Sequence, residues 1–363
     1  MVLKKTGVVT FEECVTRRTG PNTDSERATS ADPAWTHLYL AAGAGREASI
    51  NCLFQQKYKN ILISYYYLRQ MLKKHGGSMK EWVEANGWDL TGVRLMMDSG
   101  AYSAKTQGKP IPHEEFLAFV QKNLDYISIP IMMDTVLDPA QTEKDWAIAQ
   151  ASGIKFMYAF HRPEPWEFFD RNVPGAPYTG LAPMPKSAAS VKLNWFGKCL
   201  HRAGARKGRF EYASPMHLLG SAAERVISKM EAVSADSSSW SMAVGVHAAT
   251  RTPYGTVSWM RNPKTPKPNQ FVNLKPEKQE LLRGYVRKTI GLEADDLVTD
   301  ATMNWNVKDS PCLPLARLNI EFMKVAEHSA NMVKKLNPGI VYIPHEPDFS
   351  VCDNEQMTDV KWS

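Results

Sequence analysis

No stretch of this 363-residue chain approaches the roughly 18 consecutive apolar residues that a membrane-spanning helix needs, so no membrane partner is expected. The opening residues (MVLKKTGVVTFEECVTRRTG) carry charges where an export signal keeps an apolar core, so export is not expected. Cysteine is scarce. Five thiols, at positions 14, 52, 199, 312 and 352, form an odd and scattered set that suits a reduced, cytoplasmic protein rather than a disulfide framework. There is no internal repeat, low-complexity tract or heptad pattern, which excludes solenoids and coiled coils. A His-x-His pair, an HExxH helix and a cysteine cluster of zinc spacing are all missing, so metal-dependent hydrolysis has no evident ligands. The GxxxxGK[ST] phosphate loop is absent too, and the GAGRE at 43–47 has no GxGxxG behind it.

What remains is an ordinary globular composition, 43% hydrophobic and 23% charged, long enough for one large domain or two smaller ones. The net charge of +6 suits a polyanionic partner without requiring one. Eight short apolar runs, at 37–41, 60–65, 93–97, 127–133, 156–160, 178–182, 216–219 and 232–235, alternate with helical patterns. Among the latter are HEEFLAFVQKNLD, AQTEKDWAIAQA and SAAERVISKMEA, with apolar residues three and four apart. Strands alternating with helices predict βαβ units, and eight of them predict an α/β fold, a (β/α)8 TIM barrel; a doubly wound open sheet is the competitor. The expected organisation is an N-terminal arm at 1–35, a catalytic barrel core at 36–260, and a segment at 261–363 that completes the barrel. That last segment opens with an extended basic insertion at 261–277 (RNPKTPKPNQFVNLKPE), with four prolines and four basic residues, and continues in helices near 277–290 and 315–336.

In a TIM barrel the chemistry sits at the C-terminal ends of the strands. Run three ends in Asp98 within DSGAYS, run four in Asp134, run five in His161, and run eight in Asp236 within DSSSW. Each has a bland alternative, since an Asp after a strand is often the N-cap of the next helix. Asp138 before Pro139 reads best that way, His161 could be a loop histidine, and Tyr102 a core aromatic. Together they place three carboxylates and a histidine on one rim. Such a rim suits a reaction in which one carboxylate attacks a cationic sugar carbon and another shuttles a proton.

DSGAYS at 98–103, MMDTV at 132–136, TGLAP at 179–183, HLLGSA at 217–222 and DSSSW at 236–240 resemble, in order and spacing, the motifs of the tRNA-guanine transglycosylase superfamily. The resemblance spans about residues 37–260. It implies exchange of a guanine in nucleic acid for a 7-deazaguanine through a covalent sugar–enzyme intermediate. Asp236 then resembles the nucleophile at C1′ and Asp98 the acid/base, with Ser99 beside it in the same motif as a substrate-binding candidate. Tyr102 resembles the aromatic that stacks on the base, Asp134 the carboxylate that reads its amino edge, and Gly180 and Leu181 the backbone facing it. His161 stands where the tRNA enzymes carry a glutamine base contact. TRTPYGT at 250–256 echoes an arginine segment that holds the nucleic-acid backbone, nominating Arg251. Arg206, Lys207, Arg209, Arg261, Lys264 and Lys267 are further candidates for phosphate contacts, each with solvated surface charge as its alternative.

The departures from that family point to one branch. Of the tRNA enzymes' zinc ligands, three cysteines and a histidine, only Cys312 and His328 are present, so no zinc or other cofactor is expected. A long helical tRNA-binding extension is missing as well. These features resemble the DNA-modifying branch of DpdA type, especially its compact phage-encoded members, which act in the host cytoplasm. They imply DNA as polymer partner and a base such as 7-cyano-7-deazaguanine as small-molecule substrate. The alternatives are a tRNA base-exchange enzyme, a non-catalytic nucleic-acid binder and an unrelated barrel hydrolase, and the oligomeric state is left open.

Overall fold

Strands covered on both faces must be apolar almost throughout, and the eight apolar runs become such strands. The computed structural model describes residues 35–42, 47–135, 138–162, 164–183, 187–204, 214–261, 266–300 and 312–337. Its strands are β1 (His37–Ala41), β2 (Asn60–Ser64), β3 (Arg94–Asp98) and β4 (Ile129–Pro130), followed by β5 (Met157–His161), β6 (Tyr178–Ala182), β7 (Met216–Leu218) and β8 (Ser234–Ser237). All neighbours run parallel in the order β4-β3-β2-β1-β8-β7-β6-β5. A parallel bridge from Ile131 to Met157 joins the two ends of that order. The sheet is closed into a (β/α)8 barrel.

Helices fill the crossovers. They are α1 (Glu47–Gln55), α2 (Tyr65–Leu72), α3 (Met79–Asn86), α4 (Ala101–Thr106), α5 (His113–Lys122), α6 (Pro139–Ala151), α7 (Trp166–Asn172), α8 (Ala189–Arg202) and the single turn α9 (Glu224–Ile227). After β8 come α10 (Ser239–His247), an antiparallel hairpin of β9 (Ala249–Thr252) and β10 (Gly255–Ser258), α11 (Pro276–Ile290) and α12 (Cys312–Leu336). Asp138 caps α6 as its sequence suggests, accepting a hydrogen bond from the Gln141 amide at 3.0 Å with Pro139 in the first turn.

α12 runs down the outer wall between β8 and β1. Near its start Asn319 donates to the Trp240 and Ala249 carbonyls and accepts from the Arg251 amide. Near its end Asn331 pairs with both backbone groups of Thr36 at the foot of β1, and the Lys334 ammonium donates to the Thr36 hydroxyl. Each buried amide is fully used, so the helix is fixed in register as well as in place.

Three expectations are corrected. The run at 127–133 yields only Ile129–Pro130 as strand, because Pro130 has no N–H for the ladder; pairing resumes through Ile131. The pattern at 221–232 yields the four-residue α9, and its later apolar residues Met230 and Ala232 are buried in the connection to β8. The basic segment at 261–277 is not a free extended arm over its described part. The Ser258 amide donates to the Asn269 carbonyl, and Phe271 is buried against Trp259 with ring centroids 5.0 Å apart. Of the expected arm at 1–35, residues 1–34 lie outside the described residues, as do Lys264, Arg206, Lys207 and Arg209.

Candidate active site

Strand register decides which side chains meet inside the barrel. Residues paired across parallel neighbours share a face, so Tyr39 with Asp236, Ser64 with Asp98, Gly180 with His217, and His217 with Ser234 all point inward. Asp98 and Asp236 therefore rise from the same C-terminal mouth, three strands apart, and Asp134 joins them from the loop after β4.

The acids are close enough to perturb one another. Asp98 is pushed up to about 7, first by burial, then by the charge of Asp134 and, more weakly, of Asp236; the Gly100 amide and the Ser64 hydroxyl pull the other way. Asp236 is held firmly: its Oδ1 accepts from the Gly220 amide at 2.6 Å and lies 3.1 Å from His217 Nε2. Its Oδ2 takes no hydrogen bond among the described residues.

Gly100 makes the turn that presents Asp98. Its φ of +78° is left-handed, and a Cβ there would meet Tyr66 Cβ at 2.5 Å and also overlap the Ser64 hydroxyl. Gly100→Ala is expected to cost about 3 kcal/mol, summing backbone strain and overpacking, read as a lowered midpoint in urea unfolding. An unchanged midpoint would show that the turn relaxes freely.

The other predicted residues fall out differently. Tyr102, on α4, is 46% exposed, so it is no core aromatic and presents its ring at the rim. Ser99 is fully buried, and its hydroxyl accepts from the Ala101 amide at 3.2 Å, which shapes the turn. Gly180 faces inward, and a Cβ there would meet Leu219 and Met157 at 2.9 Å, so the glycine makes room for barrel packing. Leu181 points to the outer wall and is fully buried. Beside Asp134 lies a cavity of about 330 Å³ with Ala101, Ala104, Ile111 and Met133 in its wall.

His161 has both ring nitrogens engaged: Nε2 lies 2.9 Å from Asp134 Oδ2 and Nδ1 lies 3.1 Å from Glu164 Oε1. The ring is thus held between Asp134 and Glu164. Burial opposes a charge on the ring, but hydrogen bonds and attraction from Asp134 and Glu164 outweigh it and raise His161 to about 10. The imidazolium thus clamps Asp134 against the mouth. Because the folded value is raised, the clamp stabilises fully below pH 6.5 and its contribution is lost as pH rises through about 10. His161→Ala strands the buried Glu164 and the part-buried Asp134 and is expected to cost about 3 kcal/mol at pH 6, with a smaller penalty at pH 10.5. Thermal midpoints at the two pH values check this, and an equal penalty at both would remove the charge from the account.

Three site residues escaped the sequence reading. Glu164 is buried beside His161, and nothing but its spacing from that histidine could have announced it. His217 stood inside a quoted motif without a role. Lys192 on α8 reaches the Ser221 hydroxyl at 3.2 Å within the field of Asp236.

Three of the nominated cations fall on described residues. Arg251 sits on the outer hairpin, sharing a cleft with Glu224, Phe322 and Met323; Arg261 pairs with Asp300 at 3.7 Å; Lys267 is exposed in a turn. None of the three is ion-paired to Asp98, Asp134 or Asp236. Cys312 and His328 lie sixteen positions apart on α12, roughly 24 Å along the helix axis, so they cannot share a metal ion. No group of three or more potential metal ligands occurs among the described residues. No helix among them is long and apolar enough to cross a membrane.

No protein-family model matches the sequence, and no curated protein matches it. Among solved structures, the chain is similar to a mutant tryptophan synthase α-subunit from the hyperthermophile Pyrococcus furiosus, at 15% identity and a TM-score of 0.38, over 59% of this chain and 91% of that one. That likeness is too distant to carry an argument about activity. What the strand order and bridges establish is a (β/α)8 barrel, and at its C-terminal mouth the charges of Asp134 and Asp236 both bear on Asp98.

Proposed function

We propose that this chain is a base-exchange transglycosylase, a pentosyltransferase that replaces guanine in DNA by a 7-deazaguanine such as 7-cyano-7-deazaguanine. The observation that carries the reading is the pairing at the mouth. Asp98, raised to about 7, can both give and take a proton near neutrality, and Asp236 is fixed at one oxygen with the other open. DNA and the 7-deazaguanine come from the motif resemblance, with the net charge of +6 compatible.

In this reading the target guanine is flipped out of the duplex, at a cost of a few kcal/mol that stacking on Tyr102 and pairing with Asp134 offset. Asp236 attacks C1′ of the deoxyribose. The C1′–N9 bond breaks with its electron pair going to guanine, which takes a proton from Asp98. The entering base passes its N9 proton to Asp98 and attacks C1′, and the C1′–O bond returns its pair to Asp236. One N-glycosidic bond replaces another, so no ATP is required. A carbon in place of N7 removes a basic nitrogen from the product base, which makes it a poorer leaving group.

The test is incubation of the protein with duplex DNA and, separately, tRNA, each with 7-cyano-7-deazaguanine, followed by mass spectrometry of released nucleosides. The 7-deaza deoxynucleoside is expected from DNA, with a protein–DNA adduct surviving denaturation. Incorporation into tRNA alone would move the activity to the other polymer; incorporation into neither would end the proposal.

A further inference from the structure

Behind Asp236 lies a chain of buried polar groups that the proposed chemistry does not yet use. His217 is fully buried in the barrel axis, with Tyr39 and Tyr178 set edge-on to its ring at centroid distances of 6.1 and 6.2 Å. Its Nε2 faces Asp236 Oδ1 at 3.1 Å, its Nδ1 faces the Ser234 hydroxyl at 2.5 Å, and that hydroxyl is in turn bonded to the Tyr178 phenol. All four residues come from three adjacent strands, β6, β7 and β8. Among the described residues the ring bonds to a hydroxyl and a carboxylate, and a neutral ring can donate to that carboxylate in one arrangement. Tyr178 donates to Ser234, Ser234 donates to Nδ1, and Nε2–H donates to Asp236.

Resting on the base-exchange reading, we infer that His217 is a positioning residue that stabilises Asp236 as it leaves the sugar, with Ser234 and Tyr178 fixing which ring nitrogen carries the proton. The donor on Oδ1 has two opposed consequences. It holds negative charge on Asp236, which tempers attack on C1′. It also meets the charge that reappears when the C1′–O bond breaks and its electron pair returns to the carboxylate, which speeds release. The Gly220 amide supplies the second donor to the same oxygen, so Oδ1 acts as the anchored atom and Oδ2 as the one that bonds to carbon.

His217→Phe removes the donor while keeping a ring in the core. It is expected to slow exchange by about 100-fold and to raise the steady-state fraction of covalent protein–DNA adduct, because release suffers more than capture. His217→Gln, whose amide can present an N–H in place of Nε2, is expected to recover at least about tenfold of that loss. Ser234→Ala leaves Nδ1 without its donor and is expected to raise the adduct fraction less. It also serves if His217→Phe fails to fold.

NMR of the ring nitrogens gives a readout independent of turnover: in the wild type the proton resides on Nε2, and in Ser234→Ala it redistributes toward Nδ1. Adduct and exchange falling in parallel, with no recovery by His217→Gln, would reduce His217 to a packing residue and leave base exchange standing. A proton on Nδ1 in the wild type would overturn the relay. Failure of the wild type to form any adduct would overturn base exchange and this role with it.

Discussion

Asp236→Ala lowers base exchange by about 10⁴-fold or more and eliminates the denaturation-resistant protein–DNA adduct, if Asp236 is the nucleophile. The expected size follows from what is removed. Without a carboxylate at C1′ the reaction must pass through an unshielded oxocarbenium-like centre, and only stacking, base pairing and the Asp98 proton remain to help. The fold is expected to survive. Asp236 sits at the mouth, where water can reach the Gly220 amide and His217 Nε2 after the side chain is cut back. Two donors that lose a strong acceptor but gain water cost on the order of 1–2 kcal/mol, well inside the stability of a domain this size. Adduct is read on a denaturing gel after a single turnover, and stability by thermal unfolding. Full exchange in a folded Asp236→Ala protein would refute the assignment outright.

Asp98→Asn is expected to move activity and stability in opposite directions. Exchange falls by about 10²–10⁴-fold, the usual range for losing a positioned acid and base. Stability at neutral pH rises. Asp98 has a folded value of about 7 against an ordinary 3.8, so between those values the unfolded chain binds fewer protons than the native one. Stability is therefore lost as pH rises from about 4 toward 7, and above 7 the full cost of a buried charge beside Asp134 and Asp236 is borne. Asparagine keeps the shape and carries no charge, so the gain is on the order of 2 kcal/mol at pH 8, a shift of several degrees, and fades near pH 4. Thermal midpoints of the two proteins from pH 4 to 8 decide this. A difference that does not vary with pH would mean Asp98 carries no raised titration.

The same titration shapes the rate. Expulsion of guanine needs Asp98 protonated and falls above pH 7. Capture of the entering base's proton needs the carboxylate and falls below it. Exchange by the wild type should thus trace a bell centred near pH 7, and a profile flat from pH 5.5 to 8.5 would count against Asp98 as the proton shuttle.

Much of the frame was readable from one chain. Eight apolar runs separated by helical patterns fix a parallel βα alternation, because strands covered on both faces can tolerate little else. Seven of the eight runs became strands of at least three residues, and the eighth shrank only where Pro130 withheld a donor. The acids at the strand ends were equally legible, since a carboxylate that closes an apolar run must emerge at the mouth. Legibility failed where the outcome depends on neighbours remote in the chain. The burial of Ser99 and the ties of His161 to Asp134 and Glu164 could not be read from their motifs.

What the amino-acid order determined by itself, then, is the succession of strands and helices and the rim on which Asp98, Asp134 and Asp236 stand. Tertiary structure alone decided that the sheet closes through Ile131 and Met157, that Asp98 is raised by burial and by two other acids, and that His217 stands behind Asp236. The division has a physical cause. Hydrophobic periodicity acts between residues a few positions apart, whereas charge and hydrogen bonding act through space, over distances that strand register sets only once the barrel is closed.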